Sequence, residues 1–146
     1  MNNEEKYGFW LDIAKYDLDT AESMLCTGRY LYVVFMCQQS IEKIVKGIYV
    51  LFYGEEAPRT HNIWIVLKKI LESSLLIEVV NTEKFRDEIT VYKLFFADLV
   101  FYYISERYPS YKEKLSASIS KEKANEVLKK AKEVFEWLRF LEKYGK

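Results

Sequence analysis

"YLYVVFMCQQSIEKIVKGIYVLFY", residues 30–53, decides the fold. Its first third, Tyr30 to Cys37, is apolar on every side, which suits a helix covered from several directions. Further on, Gln39, Glu42, Lys43 and Lys46 fall at i, i+3, i+4 and i+7, one polar strip on an otherwise apolar rod. Gly54 supplies the stop. A central helix from about Tyr30 to Tyr53 is therefore predicted, and it requires neighbours on most of its circumference.

Those neighbours are legible on both sides. Trp10, Ala14, Asp17, Ala21 and Met24 recur at steps of three and four and predict a first helix over about Tyr7–Leu25, ended by Gly28. After a loop containing Pro58, the stripe Ile63, Val66, Leu67, Ile70 and Leu71 predicts a third helix, whose end is blurred by Ser73 and Ser74. A fourth, from about Glu83 to Glu106, carries Phe85, Ile89, Tyr92, Phe96, Leu99 and Tyr103 on one face, with Phe95, Phe101 and Tyr102 elsewhere. Two apolar faces call for two partners: the bundle core and a second subunit, or burial on both sides within one chain. Tyr108-Pro109-Ser110 breaks this helix, and Ser120 is the expected N-cap of a fifth built on Ala124, Val127, Leu128, Ala131, Phe135, Leu138 and Leu141. No strand-like alternation intervenes. The fold expected is all-α, an antiparallel four- to five-helix bundle forming one domain over residues 1–146.

Composition narrows the function. The chain has 146 residues, 50% of them hydrophobic, and 22 basic against 22 acidic side chains, so no net charge argues for nucleic acid or a membrane surface. Charge is uneven along it: residues 1–27 hold six acids and two bases, residues 107–132 eight bases and three acids. The longest apolar run, Tyr30–Cys37, is far short of the about 20 residues that cross a bilayer. A polar start without a signal peptide makes a cytoplasmic protein the expectation. Cys26 and Cys37 lack metal-ligand spacing and read as free thiols in or beside a core, so no metal and no cofactor is expected. Glycine-rich phosphate loops, dinucleotide fingerprints, Glu-x-x-His pairs and Gly-x-Ser-x-Gly elbows are all absent.

The single histidine, His61, lies in "GEEAPRTHNIW", residues 54–64. If short connections make successive helices antiparallel, the loop before the third helix and the loop after the fourth open on one end of the bundle. That end would gather Arg59, Thr60, His61, Asn62, Arg107, Tyr108 and Tyr111 and favour an anion such as phosphate. His61 there positions a phosphate, transfers a proton, or simply caps the helix or bonds a loop carbonyl. A second constellation is internal: Asp17, Gln39, Glu42 and Asp98 sit among apolar residues with Lys43 and Lys46. It reads either as an interhelical network, Asp17 with Lys43 or Lys46, or as a polar groove for a nucleotide or RNA phosphate.

Taken together, Asp17–Ala21, Gly28-Arg29-Tyr30, Cys37-Gln38-Gln39, Glu42-Lys43 with Lys46, Pro58 with Thr60-His61, and Arg107-Tyr108-Pro109 resemble the HEPN domain family over about residues 7–140. The resemblance implies an all-α bundle that forms a homodimer, often beside a minimal nucleotidyltransferase with which it makes a complex or a toxin-antitoxin pair. Many members are metal-independent RNases whose motif is an arginine followed, after four to six intervening residues, by a histidine. Arg107 matches the arginine, but Lys112, Glu113 and Lys114 stand where the histidine is expected. The Arg-Tyr-Pro form resembles instead a nucleotide-binding or partner-binding branch, in which Lys43, Lys46, Arg59 and Arg107 hold phosphate and Tyr108 stacks or hydrogen-bonds. The first expectation is thus a nucleotide-binding or nucleotidyltransferase-partner subunit. The alternatives are a ribonuclease using Arg107 and His61 on an RNA ligand, and a purely structural interaction protein.

Overall fold

The computed structural model describes residues 1–106, 108 and 117–146. Arg107, Pro109 and Tyr111 lie outside these described residues. Helix α1 spans Asn3–Cys26, starting four residues earlier than hydrophobic periodicity indicates. The reason is a cap: the Asn2 side chain accepts the Glu5 N–H at 2.8 Å, with Glu4 and Glu5 favourably placed in the first turn. Gly28, at φ 76°, ends it and lets the Arg29 N–H reach the Met24 carbonyl at 2.9 Å.

Helix α2 spans Tyr30–Tyr53 and stops at Gly54, φ 71°, as the sequence indicates. Helix α3 spans Ile63–Leu71, capped by Asn62 accepting the Trp64 N–H at 3.1 Å. Past Leu71 the periodicity stops because a new start follows. Ser73 caps a 3-10 turn, Ser74–Leu76, that leads into the short helix α4, Ile77–Val80, both pinned by the fully buried Leu76. Helix α5 spans Glu83–Glu106 and helix α6 Lys121–Gly145, the latter with Ser120 accepting the Lys123 N–H at 3.0 Å. No strand occurs among the described residues.

α2 is the centre: it packs against α1, α3, α5 and α6. Val33, Cys37, Ile41, Ile44, Val45 and Ile48 are wholly buried along it. Burial in this apolar shell pushes the Cys37 thiol up to about 12, whereas Cys26, expected beside the core, is exposed at the end of α1. The α1–α2 seam is close. Ser40 Oγ donates to the Ala14 carbonyl at 2.7 Å, and Gly47 lies so near Trp10 that a Cβ placed on it would be 2.6 Å from the Trp10 Cβ.

Cross-helix pairs fix direction. Tyr7 meets Glu142 and Glu22 meets Lys132, so α1 runs against α6; Phe85 meets Trp137 and Tyr92 meets Glu133, so α5 also runs against α6; Trp10 lies by Gly47 and Asp17 meets Lys43, so α1 runs against α2, and α2 therefore runs against α5, where Phe35 stacks on Tyr103. The exception is α3. Glu55 bonds Tyr49, the His61 carbonyl accepts from Gln38, and the Tyr53 hydroxyl donates to the Lys69 carbonyl, so residues 54–62 travel back along α2 and α3 then runs parallel to it. Nine residues of extended chain reach about 30 Å, more than enough to retrace the about 18 Å of helix between Gly54 and Glu42.

Two phenol–carboxylate pairs tie α6 to its neighbours and make the fold acid-sensitive. Burial alone would raise Glu142, but the Tyr7 hydroxyl and Arg139 guanidinium donating to it hold its carboxyl below the usual range. Tyr92, then Lys130, lower Glu133 in the same way. A folded pKa below the unfolded one gives stability that is complete above the ordinary glutamate value and is lost as pH falls through the folded one. Thermal melts should therefore hold steady from pH 7 to about 5 and drop below about pH 4. Glu142→Gln, which keeps an acceptor for Tyr7 without a charge, should lessen that drop.

Candidate functional site

The polar strip of α2 turns one wall toward α1 and the other toward α3 and α5. On the α1 side, Lys43 Nζ lies 2.5 Å from Asp17 Oδ2, a pair whose carboxylate side chain is only 9% exposed. On the other side Glu42 collects donors. Its Oε1 accepts from Gln38 Nε2 and from His61 Nδ1, both at 2.9 Å, and its Oε2 is 3.3 Å from Lys46 Nζ. Gln38 is wholly buried, and its Oε1 in turn accepts from Gln39 Nε2 at 2.7 Å. A buried carboxylate surrounded by donors satisfies the rule that a buried charge must be paired and hydrogen-bonded.

The network ends outside the core at His61. The Tyr103 hydroxyl is 3.0 Å from His61 Nε2, the two rings have centroids 4.2 Å apart, and Phe35 stacks on Tyr103 at 5.8 Å. Because a carboxylate only accepts, Nδ1 must carry the hydrogen, leaving Nε2 of the neutral ring to accept from the phenol. Carboxylate, imidazole and phenol thus form one hydrogen-bonded line from the interior to the surface. It opens on a cleft of about 780 Å³ between α3 and the end of α5. Thr60, His61 and Asn62 make its polar wall; Ile65, Val100 and Ile104 are its apolar side, with Tyr103 and Tyr108 flanking. The cleft thus joins an apolar side to a few convergent polar groups.

The family model of the HEPN domain matches residues 7–141. The chain belongs to the HEPN domain family. No curated protein and no solved structure matches it. In this HEPN chain, the match runs from the second turn of α1 to near the end of α6 and takes in the loop carrying His61.

Several expected site residues fall elsewhere. Lys43 and Lys46 are engaged by Asp17 and Glu42 and do not line the cleft, because α2 is covered on both sides of its strip. Arg59 is exposed on the loop two residues before His61. Asp98, expected in the internal network, is solvent-exposed beside Lys123, Glu126 and Lys130; neighbouring aromatics on one helix point to other faces and do not bury it. His61 and the end of α5 do meet, but through the returning loop and a parallel α3, not because two antiparallel turns share a pole. Two members of the network are absent from the expected site residues, Gln38 being named only within the Cys37-Gln38-Gln39 run of the resemblance. Gln38 carried a signal, four residues before Glu42 on the same helix face; Tyr103 was counted only as an aromatic of α5. Among the described residues no cluster of three or more His, Cys, Asp or Glu side chains is placed to hold a metal, and no helix is long and apolar enough to cross a membrane.

Proposed function

We propose that this HEPN protein is a nucleotide-binding subunit that works as a homodimer with a nucleotidyltransferase partner, as one half of a toxin-antitoxin-like pair. The observation that carries the reading is the Glu42–His61–Tyr103 line at the wall of an aromatic-flanked cleft. The base lies against Tyr108 and the apolar side, and the phosphate faces His61, with the exposed Arg59 two residues earlier in the loop; Arg107, next to Tyr108 in sequence, is the second cation of the proposal. Val91, Leu94, Phe101 and Ile104 make an exposed apolar stripe along α5 that runs to the cleft, which supports this helix as the face for a second copy. ATP and AMP are expected to raise the melting temperature and to bind in equilibrium dialysis. Tyr108→Ala should weaken binding about tenfold, the usual worth of one base–aromatic contact. No binding of either nucleotide overturns the reading.

One observation favours a second reading. An imidazole oriented by a buried carboxylate and half exposed to a cleft is equipped for proton transfer, as a metal-independent ribonuclease requires. RNA cleavage that persists in EDTA and disappears in His61→Ala would establish it; cleavage indifferent to His61 removes it.

A further inference from the structure

We infer that the outer face of α1 docks a cationic amphipathic helix of another protein, whose apolar side covers Phe9, Ile13 and Tyr16 and whose basic edge meets the acids beside them. The inference is independent of the cleft at His61.

α1 buries one side against α2 and α6, through Tyr7, Ala14 and Ala21 with the Asp17–Lys43 pair. Its other side, polar on an ordinary surface helix, is here partly apolar. Phe9, Ile13 and Tyr16, at steps of four and three, form a stripe there and are 60%, 48% and 75% exposed. One exposed apolar residue is ordinary, but three in line over about two turns make a patch. At the Phe9 end, Met1, Phe9, Trp10 and Val50 border a recess of about 280 Å³, a place for one anchoring side chain.

The carboxylates discriminate among occupants. Glu5 stands four residues before Phe9, Asp12 three after Phe9 and four before Tyr16, and Asp19 three after Tyr16, so a line of acids runs along one edge of the stripe. Glu55 and Glu56 border the recess together with Lys6. Glu5, Asp12, Asp19 and Glu56 are all exposed, and none of them forms an ion pair among the described residues. A second copy pairing α1 with α1 sets like charges against one another, and an anionic lipid surface or a nucleic acid meets the same repulsion. On α6 the exposed Lys121, Lys123 and Lys129 stand near its start and the exposed Phe140 near its end, so the basic face of a second copy brings no apolar stripe with it. A helix with lysines or arginines flanking an apolar side meets opposite charge and loses its own exposed apolar surface in the same contact.

The probe is a designed helical peptide of about 18 residues with leucines on one side and lysines on the other, set against its glutamate counterpart and followed by fluorescence anisotropy. The full chain is expected to bind the lysine peptide and not the glutamate one, and to lose affinity as salt rises from about 0.05 M to about 0.5 M. Phe9→Ser with Tyr16→Ser should weaken the lysine peptide by about tenfold or more. Asp12→Asn with Asp19→Asn, which leaves the stripe intact, should weaken it about fivefold and reduce its salt dependence. Leu94→Ser on α5 should change neither. The substituted side chains are all exposed, so the core beneath them stays as it is. Lysine and glutamate peptides bound alike, or a lysine peptide indifferent to both pairs of α1 substitutions, overturn the inference. A sedimentation mass that falls in Phe9→Ser with Tyr16→Ser also overturns it and gives the stripe to a second copy. Binding of phosphatidylserine vesicles that is lost in the same variant overturns it in favour of a membrane.

Discussion

Gly47→Val is expected to destabilise the fold by about 2–3 kcal/mol, the upper range for forcing extra methyl groups into a closed seam. At this position a Cβ would stand 2.6 Å from the Trp10 Cβ and 3.1 Å from a Tyr7 ring carbon. The Trp10 Cβ is tied to the α1 backbone, so relief requires α1 to shift away from α2. Gly47→Ala meets the same clash but regains about 1 kcal/mol of helix propensity, so its loss should be the smaller of the two. Urea unfolding of both variants tests the seam. A valine variant as stable as the parent would mean that α1 and α2 do not approach this closely.

Removing the Glu42 carboxylate should cost about 3–5 kcal/mol in Glu42→Leu, the usual penalty for leaving the partner of a buried ion pair alone. The variant strands three groups at once. Lys46, 15% exposed at its side chain, loses its counter-charge; the buried Gln38 amide loses an acceptor; and His61 loses the bond that orients it. Glu42→Gln keeps the shape and one acceptor and should lose distinctly less. Chemical denaturation of the pair separates charge from packing: equal losses in both would show that volume, not the carboxylate, is what the position requires.

Much of the architecture was legible because it follows from spacing and punctuation. The limits of α2 and α5 and the Ser120 cap of α6 agree with the residues that announce them. Asn2 went unread as a cap because no apolar stripe accompanies the first turn of α1, where the hydrogen bond itself sets the start. The direction of α3 was misread for a physical reason. The antiparallel rule assumes a tight turn, whereas residues 54–62 are long enough to retrace half of α2 before α3 begins. Sequence therefore brought His61 to the end of α5 by a route the chain does not take.

The same pattern holds at the site. The polar strip on α2 announced a network, and the pairing of Asp17 with Lys43 is among those anticipated. Which side each member faces depends on the packing of four helices around one, and that is not written in any single helix. Lys46 turns inward to Glu42 for this reason, and Asp98, though set among aromatics in sequence, turns outward. Tyr103 shows the converse: an aromatic on a core-facing stripe whose last atom reaches the surface and finds the imidazole.

The difference between the two thiols has a practical use. Cys37 is enclosed in the core with its thiolate suppressed, and Cys26, the only other cysteine, is exposed where α1 gives way to α2. A maleimide fluorophore added to the native protein should attach at one place without any engineering. Subunit exchange and partner capture can then be followed by energy transfer from a single defined address.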